Sequence, residues 1–321
     1  PGGQMATDSD NFEKALKDNS EEAVAEFDRH EKGVVGFIHE TLHKYPFFVP
    51  LIVMVVAIIV FGLINSNFYR VNTLSVILQQ VGIVGILGIA QGIIIMTAGI
   101  DLSVGAILVF TTVIMGQFSF RYGIPAELSI LIGLGAATFM GFCNGWMVAR
   151  LRLPPFIVTL GTWQIILAAN YIYSRNETIR SQDIAEQASS LQFWGTLVRI
   201  GADEAGRGGA RVTYGVFAFL ILVAIFAYIL SNTAWGRHVY AVGDDKEAAE
   251  LAGVNTDRVL IQVYTIAGLL CGIAAWVAIG RFGAISPGAS TGMQGNIQSI
   301  TAVVIGGISL FGGRGSIIGM F

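Results

Sequence analysis

From Phe48 onward the sequence is a succession of apolar runs, each about as long as the hydrocarbon core of a bilayer is thick. The runs are Phe48–Ile64, Leu74–Met96, Leu102–Phe118, Leu128–Ala149, Pro155–Tyr173, Val212–Leu230 and Val259–Gly280, and Ile300–Phe311 begins an eighth. Charged residues make up 13% of the 321, about half the ordinary share. That balance excludes a soluble globular enzyme, a disordered chain and a nucleic-acid binder with a basic face. Glycine is abundant, at 40 residues, but has no three-residue period, so a collagen is excluded too. The fold class left is an all-α, polytopic membrane helix bundle with Gly-rich broken segments and eight or more spans.

Charge divides the chain. Residues 1–45 carry a net charge of −5, residues 46–321 a net of +2. The first stretch reads as an acidic cytoplasmic tail, and it lacks the early apolar region of a signal peptide. Pro1–Gln4, ahead of Met5, is read as foreign to the natural chain, and the pattern is expected to continue past Phe321. Cys143 and Cys271 both lie in apolar runs, and the four histidines (His30, His39, His43, His238) have no ligand spacing, so neither a disulfide framework nor a metal site is expected.

Lysine and arginine orient the spans. With the tail inside, all five lysines fall inside, and the basic residues divide eleven inside to eight outside. Residues 174–211 then form a periplasmic loop and residues 231–257 a cytoplasmic one. Arg281–Gln298, rich in Gly, Ser and Pro, reads as an extended or re-entrant segment. Pairs at G-x-x-x-G spacing (Gly88/Gly92, Gly141/Gly145, Gly268/Gly272, Gly315/Gly319) fit close helix packing, either inside one bundle or at a dimer seam.

Two breaks interrupt the apolar pattern. Thr97–Ala106 holds Asp101, the only acid between Pro46 and Phe120, with Gly99, Ser103 and Gly105 around it. Asp101 suits the start of the third span as a cap, and the break also suits a cavity-lining position, since irregular backbone at membrane depth needs protein or water around it. The second break, Gly306–Gly315, has a similar flavour, and paired broken segments point to a transport path. Neutral polar residues are spread through the spans: Gln79, Gln80, Gln91, Asn144, Thr162, Trp163, Gln164 and Asn170. They suit either hydrogen bonds between helices or a path for a neutral, hydroxyl-rich solute. An ion-coupled carrier would want intramembrane carboxylates or histidine.

The cytoplasmic loop is the most specific stretch. Asp244 and Asp245 signal a helix start, Lys246–Ala252 is one short helix, and Gly253 ends it. Glu247-Ala248-Ala249 followed by Gly253 is the first half of the E-A-A-x-x-x-G pattern. No G-x-x-x-x-G-K-[ST] motif occurs, so the chain cannot cradle ATP phosphates itself.

These features, with Leu78–Gln80, Thr97–Gly105, Pro155–Gly161, Gly243–Gly253 and Ala302–Ser316, are similar to the permeases of the carbohydrate branch of bacterial ABC importers, the ribose, xylose, arabinose and fructose group. Val158–Gln164, Tyr173–Ile179 and Thr233–Asp245 resemble the fructose-type permeases most. The Leu-Pro end of the E-A-A pattern is absent, and the acidic tail is longer than usual for the group. The resemblance implies a ten-span permease of the inner membrane with a cytoplasmic N-terminus, working as two copies on a tandem ATPase that binds ATP and Mg, with a periplasmic sugar-binding protein delivering a monosaccharide. It implies coupling through Asp244, Asp245, Glu247, Ala248, Ala249 and Gly253. The path is expected along Gln79, Gln80, Gln91, Asp101, Ser103, Asn144, Trp163, Gln164 and Asn170. A stand-alone secondary carrier or facilitator, or a membrane scaffold, are the other classes.

Overall fold

A computed structural model describes residues 48–201 and 209–320. The acidic tail lies outside the described residues. The chain divides into two compact units after Leu51, and of the first only residues 48–51, the opening of a helix, are described.

Helix α1 runs Phe48–Ile64, α2 Val71–Met96, α3 Val104–Tyr122, α4 Ala126–Arg150 and α5 Pro155–Ser174. A short helix α6 (Ser181–Gln187), a 3-10 segment (Ser189–Gly195) and strands β1 (Leu197–Ile200) and β2 (Ala210–Thr213) follow. Then come α7 (Tyr214–Asn232), α8 (Ala234–Asp244), α9 (Lys246–Leu251), α10 (Thr256–Phe282), α11 (Ala289–Ile305) and α12 (Ile317–Met320). Six of these, α2, α3, α4, α5, α7 and α10, are long and apolar enough to cross a membrane. The expected first and eighth apolar elements correspond to α1 and α11, each 17 residues.

The ends of the helices follow local chemistry. Pro155 occupies the first position of α5, where its missing N–H costs nothing. Gly123 and Gly283 close α3 and α10 in the left-handed conformation. Asn255 accepts the Arg258 N–H and starts α10.

Glycine sets how closely the helices approach. The α4–α10 pair is the most extensive contact. There, Gly141 and Gly268 bring backbone against backbone, and Gly272 packs on Ala137. The two predicted G-x-x-x-G pairs therefore meet each other within one chain. Gly88 and Gly92 likewise face Met320, Ile308 and Ile317 of the same chain. The buried core runs through α2, α3 and α10, from Ile86 and Ile93 to Val263 and Ala274.

The structure corrects the sequence reading at three places. Arg281–Gln298 is not extended throughout: the irregular part ends at Gly288 and α11 begins at Ala289. Its weak helix formers are overruled by packing, with Gly292 set against the backbone of Gly105. The eighth apolar element stops being helical at Ile305, where Gly306 and Gly307 follow, the latter at φ +82°. The loop at residues 231–257 holds two helices, not one, because Thr233 caps α8 and Val239 and Val242 bury its inner face.

Candidate functional site

Four remote segments meet at one end of the bundle. Met96, at the end of α2, accepts the Gly313 N–H at 3.0 Å, which joins the two Gly-rich breaks. Gly243, at the end of α8, abuts the same Met96 carbonyl, and Gly313 abuts Asp244. The Tyr240 hydroxyl donates to the Gly315 carbonyl at 2.8 Å, and burial pushes its phenol above the ordinary value, so it remains a donor. The α4–α5 turn, through Arg152 and Pro154, completes a groove of about 620 Å³ shared with Thr97, Asp244, Glu247 and Phe311.

The six residues expected to couple sit on this end. Asp245 accepts the Ala248 N–H at 2.9 Å and starts α9. Asp244 belongs to the last turn of α8 rather than to the start of α9. Glu247 and Ala248 are exposed, and Ala249 is buried beneath them. Gly253 has φ +86°, and its N–H bonds back to the Glu250 carbonyl.

The first break is held from all sides. Asp101, 2% exposed, accepts both the N–H and the hydroxyl of Ser103 at 2.6 Å. Ser103, not Asp101, occupies the N-cap position of α3. The carboxylate thus holds the turn that leads into the helix, one step before the expected cap. Asn144 donates to the Ser103 hydroxyl at 2.8 Å. The Gln91 amide, turned to match donors with acceptors, brackets the Asp101 peptide at 3.0 and 3.3 Å. Sequence reasoning did not single out two further clamps. The Thr159 hydroxyl accepts the Leu102 N–H at 3.1 Å, and Asn296 donates to the Leu102 carbonyl and accepts the Gly105 N–H. A lone asparagine inside a Gly- and Gln-rich stretch was the available signal for the second.

So the structure gathers Gln91, Asp101, Ser103 and Asn144 into one buried network. The Asn144 carbonyl oxygen and the nearby Tyr264 hydroxyl lack partners among the described residues. The other residues expected along a path lie elsewhere. Gln79 donates to the Arg211 carbonyl at 2.8 Å and Ser75 accepts its N–H at 2.9 Å, so α2 anchors β2 at the opposite end. Asn170 donates to the Pro287 carbonyl at 2.8 Å and shares a small cavity with Trp163. Gln164 is exposed on α5, and Gln80 is exposed on α2. Among the described residues, no group of three His, Cys, Asp or Glu side chains is placed to hold a metal ion. The network contains amides, hydroxyls and one hydrogen-bonded carboxylate, which suits holding a backbone in place.

Residues 73–321 match the profile of a family described as branched-chain amino acid transport system / permease component. The chain is 57% identical to the fructose import permease protein FrcC of Rhizobium meliloti, over 98% of this chain and 85% of that one. It is 30% identical to the ribose import permease protein RbsC of Escherichia coli K12, over 84% of this chain and 79% of that one. Identity to the autoinducer 2 import system permease protein LsrC of Photorhabdus luminescens is 29%, over 83% and 76%. No solved structure matches the chain.

Proposed function

The chain belongs to the branched-chain amino acid transport system / permease component family, and from that premise we propose that it carries a neutral monosaccharide, fructose or ribose-like, across the bacterial inner membrane. The observation that carries the choice of solute is the 57% identity to a fructose import permease across nearly the whole chain. The family description names amino acids, but amino acids are zwitterions, and the spans offer almost no charge to pair with them.

In this reading the chain is a transporter subunit, and ATP with Mg is bound by a separate ATPase, a tandem one. A periplasmic sugar-binding protein meets the end formed by residues 174–211. Residues 231–257 form the cytoplasmic coupling loop, and the ATPase docks against α8 and α9 beside the groove. The N-terminal tail, residues 1–45, is then cytoplasmic, and α1 and α11 bring the crossings of the permease domain, residues 46–321, to eight. Two copies form a homodimer about the path. The buried state of Asp101 supports an ATP-driven importer over a stand-alone carrier, because its carboxylate is already occupied by Ser103.

The test is reconstitution of the chain with its co-purifying ATPase and binding protein in proteoliposomes. Uptake of labelled fructose or ribose that requires ATP is expected. Uptake that proceeds without ATP would support the carrier instead. A cysteine at Ser309 is expected to cross-link between copies, and a strictly monomeric, active permease would remove the dimer.

A further inference from the structure

Three glutamines on one side of the bundle present free amides. Gln80 lies in α2, and Gln294 and Gln298 stand one turn apart on α11. All three are exposed, and they line an open cleft of about 70 Å³ with Leu87, Leu108 and Phe282. Their neighbours are used differently. Gln79 is spent on Arg211, and Asn296, between the two α11 glutamines, turns inward to clamp the first break. None of the three amides has a hydrogen-bond partner among the described residues. Thr301 is exposed at the next position of the same α11 stripe.

An amide brings two donors and a two-lone-pair acceptor. Leaving these unmatched in hydrocarbon is costly, so the three amides favour water or a polar partner over lipid, with Met293 and Ile297 exposed beside them on α11. The outer face of α7 differs, exposing Phe217, Ile221 and Ile225, and α5 exposes Ile165 and Ile172 beside a single glutamine, Gln164. Amides that both give and take hydrogen bonds, set beside leucines and an aromatic ring, match a solute with hydroxyls on its edge and C–H groups on its faces. No ionisable side chain lines the cleft, so a charged solute finds no counter-ion there.

We propose that the cleft formed by Gln80, Gln294 and Gln298 is a solute-binding subsite within the membrane, taking a neutral polyhydroxylated ligand of monosaccharide size. This rests on the import function proposed above. The cleft is too small to enclose a hexose alone, so in the homodimer proposed above the second copy supplies its facing wall.

The test uses the whole complex with its ATPase and binding protein. Cys143 and Cys271 are first replaced by alanine. Gln298→Cys is then expected to react with a membrane-impermeant methanethiosulfonate at least about ten-fold faster than Ile172→Cys, because only one side chain faces water. Fructose uptake by the double variant Gln294→Met, Gln298→Met is expected to fall about ten-fold, while the complex still assembles. Labelling of Gln298→Cys as slow as that of Ile172→Cys overturns the proposal. So does loss of the assembled complex in the double variant, which would make the amides a subunit seam. Full sugar uptake by the double variant overturns the cleft alone, whereas a wild-type complex that imports no neutral sugar overturns the function reading and the ligand class with it.

Discussion

The carbonyl oxygen of Met96 accepts a hydrogen bond from the backbone N–H of Gly313 at 3.0 Å. Met96 closes α2, and Gly313 lies in the second break, after α11. The same carbonyl abuts Gly243, in the last turn of α8. One backbone oxygen therefore joins both interruptions of the membrane pattern to the loop that the ATPase is proposed to touch.

Gly243→Ala tests that junction. A methyl group there would lie 1.8 Å from the Met96 oxygen and 2.6 Å from the Gly313 nitrogen. The backbones must separate, at a cost of about 1–3 kcal/mol. A lower melting temperature and less sugar moved per ATP are expected. Gly161→Ala, on the exposed face of α5 with open space around it, serves as the control. Equal melting temperature and uptake in the two variants would remove the junction from the mechanism.

Gly253 is constrained differently. Space around it is open, but its φ of +86° strains any residue with a side chain. Gly253→Val costs about 1–2 kcal/mol locally and shifts the end of α9. Membrane insertion is expected to survive while ATPase retention and uptake fall in the order Gly, Asn, Val. Retention of the ATPase by the valine variant at the wild-type level would contradict this.

Asp101 separates geometry from charge. Asp101→Asn keeps an oxygen for the Ser103 N–H and hydroxyl, so it is expected to express and transport like wild type. Asp101→Ala leaves both groups buried and unmatched, at about 1–3 kcal/mol for each. Its expression is expected to drop. Purified Asp101→Asn complex that is stable yet hydrolyses ATP without moving sugar would show that the charge itself, and not only its hydrogen bonds, is needed for transport.

Asn296 holds the same break from α11. Asn296→Asp keeps the acceptor for the Gly105 N–H but not the donor for the Leu102 carbonyl. Asn296→Leu removes both. Melting temperatures are expected to fall in the order Asn, Asp, Leu, with a loss of about 1–3 kcal/mol per abandoned buried group. Reversal of the last two would mean that burying a second carboxylate beside Asp101 outweighs the retained hydrogen bond.

Local signals carried much of the fold. α1 occupies Phe48–Ile64 as its apolar run proposed, α5 starts at Pro155, and Asp245 and Gly253 mark the ends of a short helix. What escaped was decided by distant partners. α8 contains Gly236 and Gly243, poor helix formers, and becomes helical through the Thr233 cap and burial of Val239. α11 begins in a run of Gly, Ser and Gln that gains its helix by resting Gly292 on Gly105. The site divides in the same way. Asp101 and Ser103 are neighbours in sequence, and their bond could be foreseen. Asn296 and Leu102 are brought together only by the completed fold.

The glycine crossing of α4 and α10 also bears on how the protein is made. Gly141 meets backbone at two places on α10, the Tyr264 carbonyl and Gly268. During synthesis α4 enters the membrane well before α10 leaves the ribosome. Its small-residue face, with Asn144 at the base, waits beside lipid or the insertion machinery until α10 slots against it. Helix α10 therefore acts as a late keystone in biogenesis, and a chain halted before Thr256 would present to quality control a groove that the finished permease never displays.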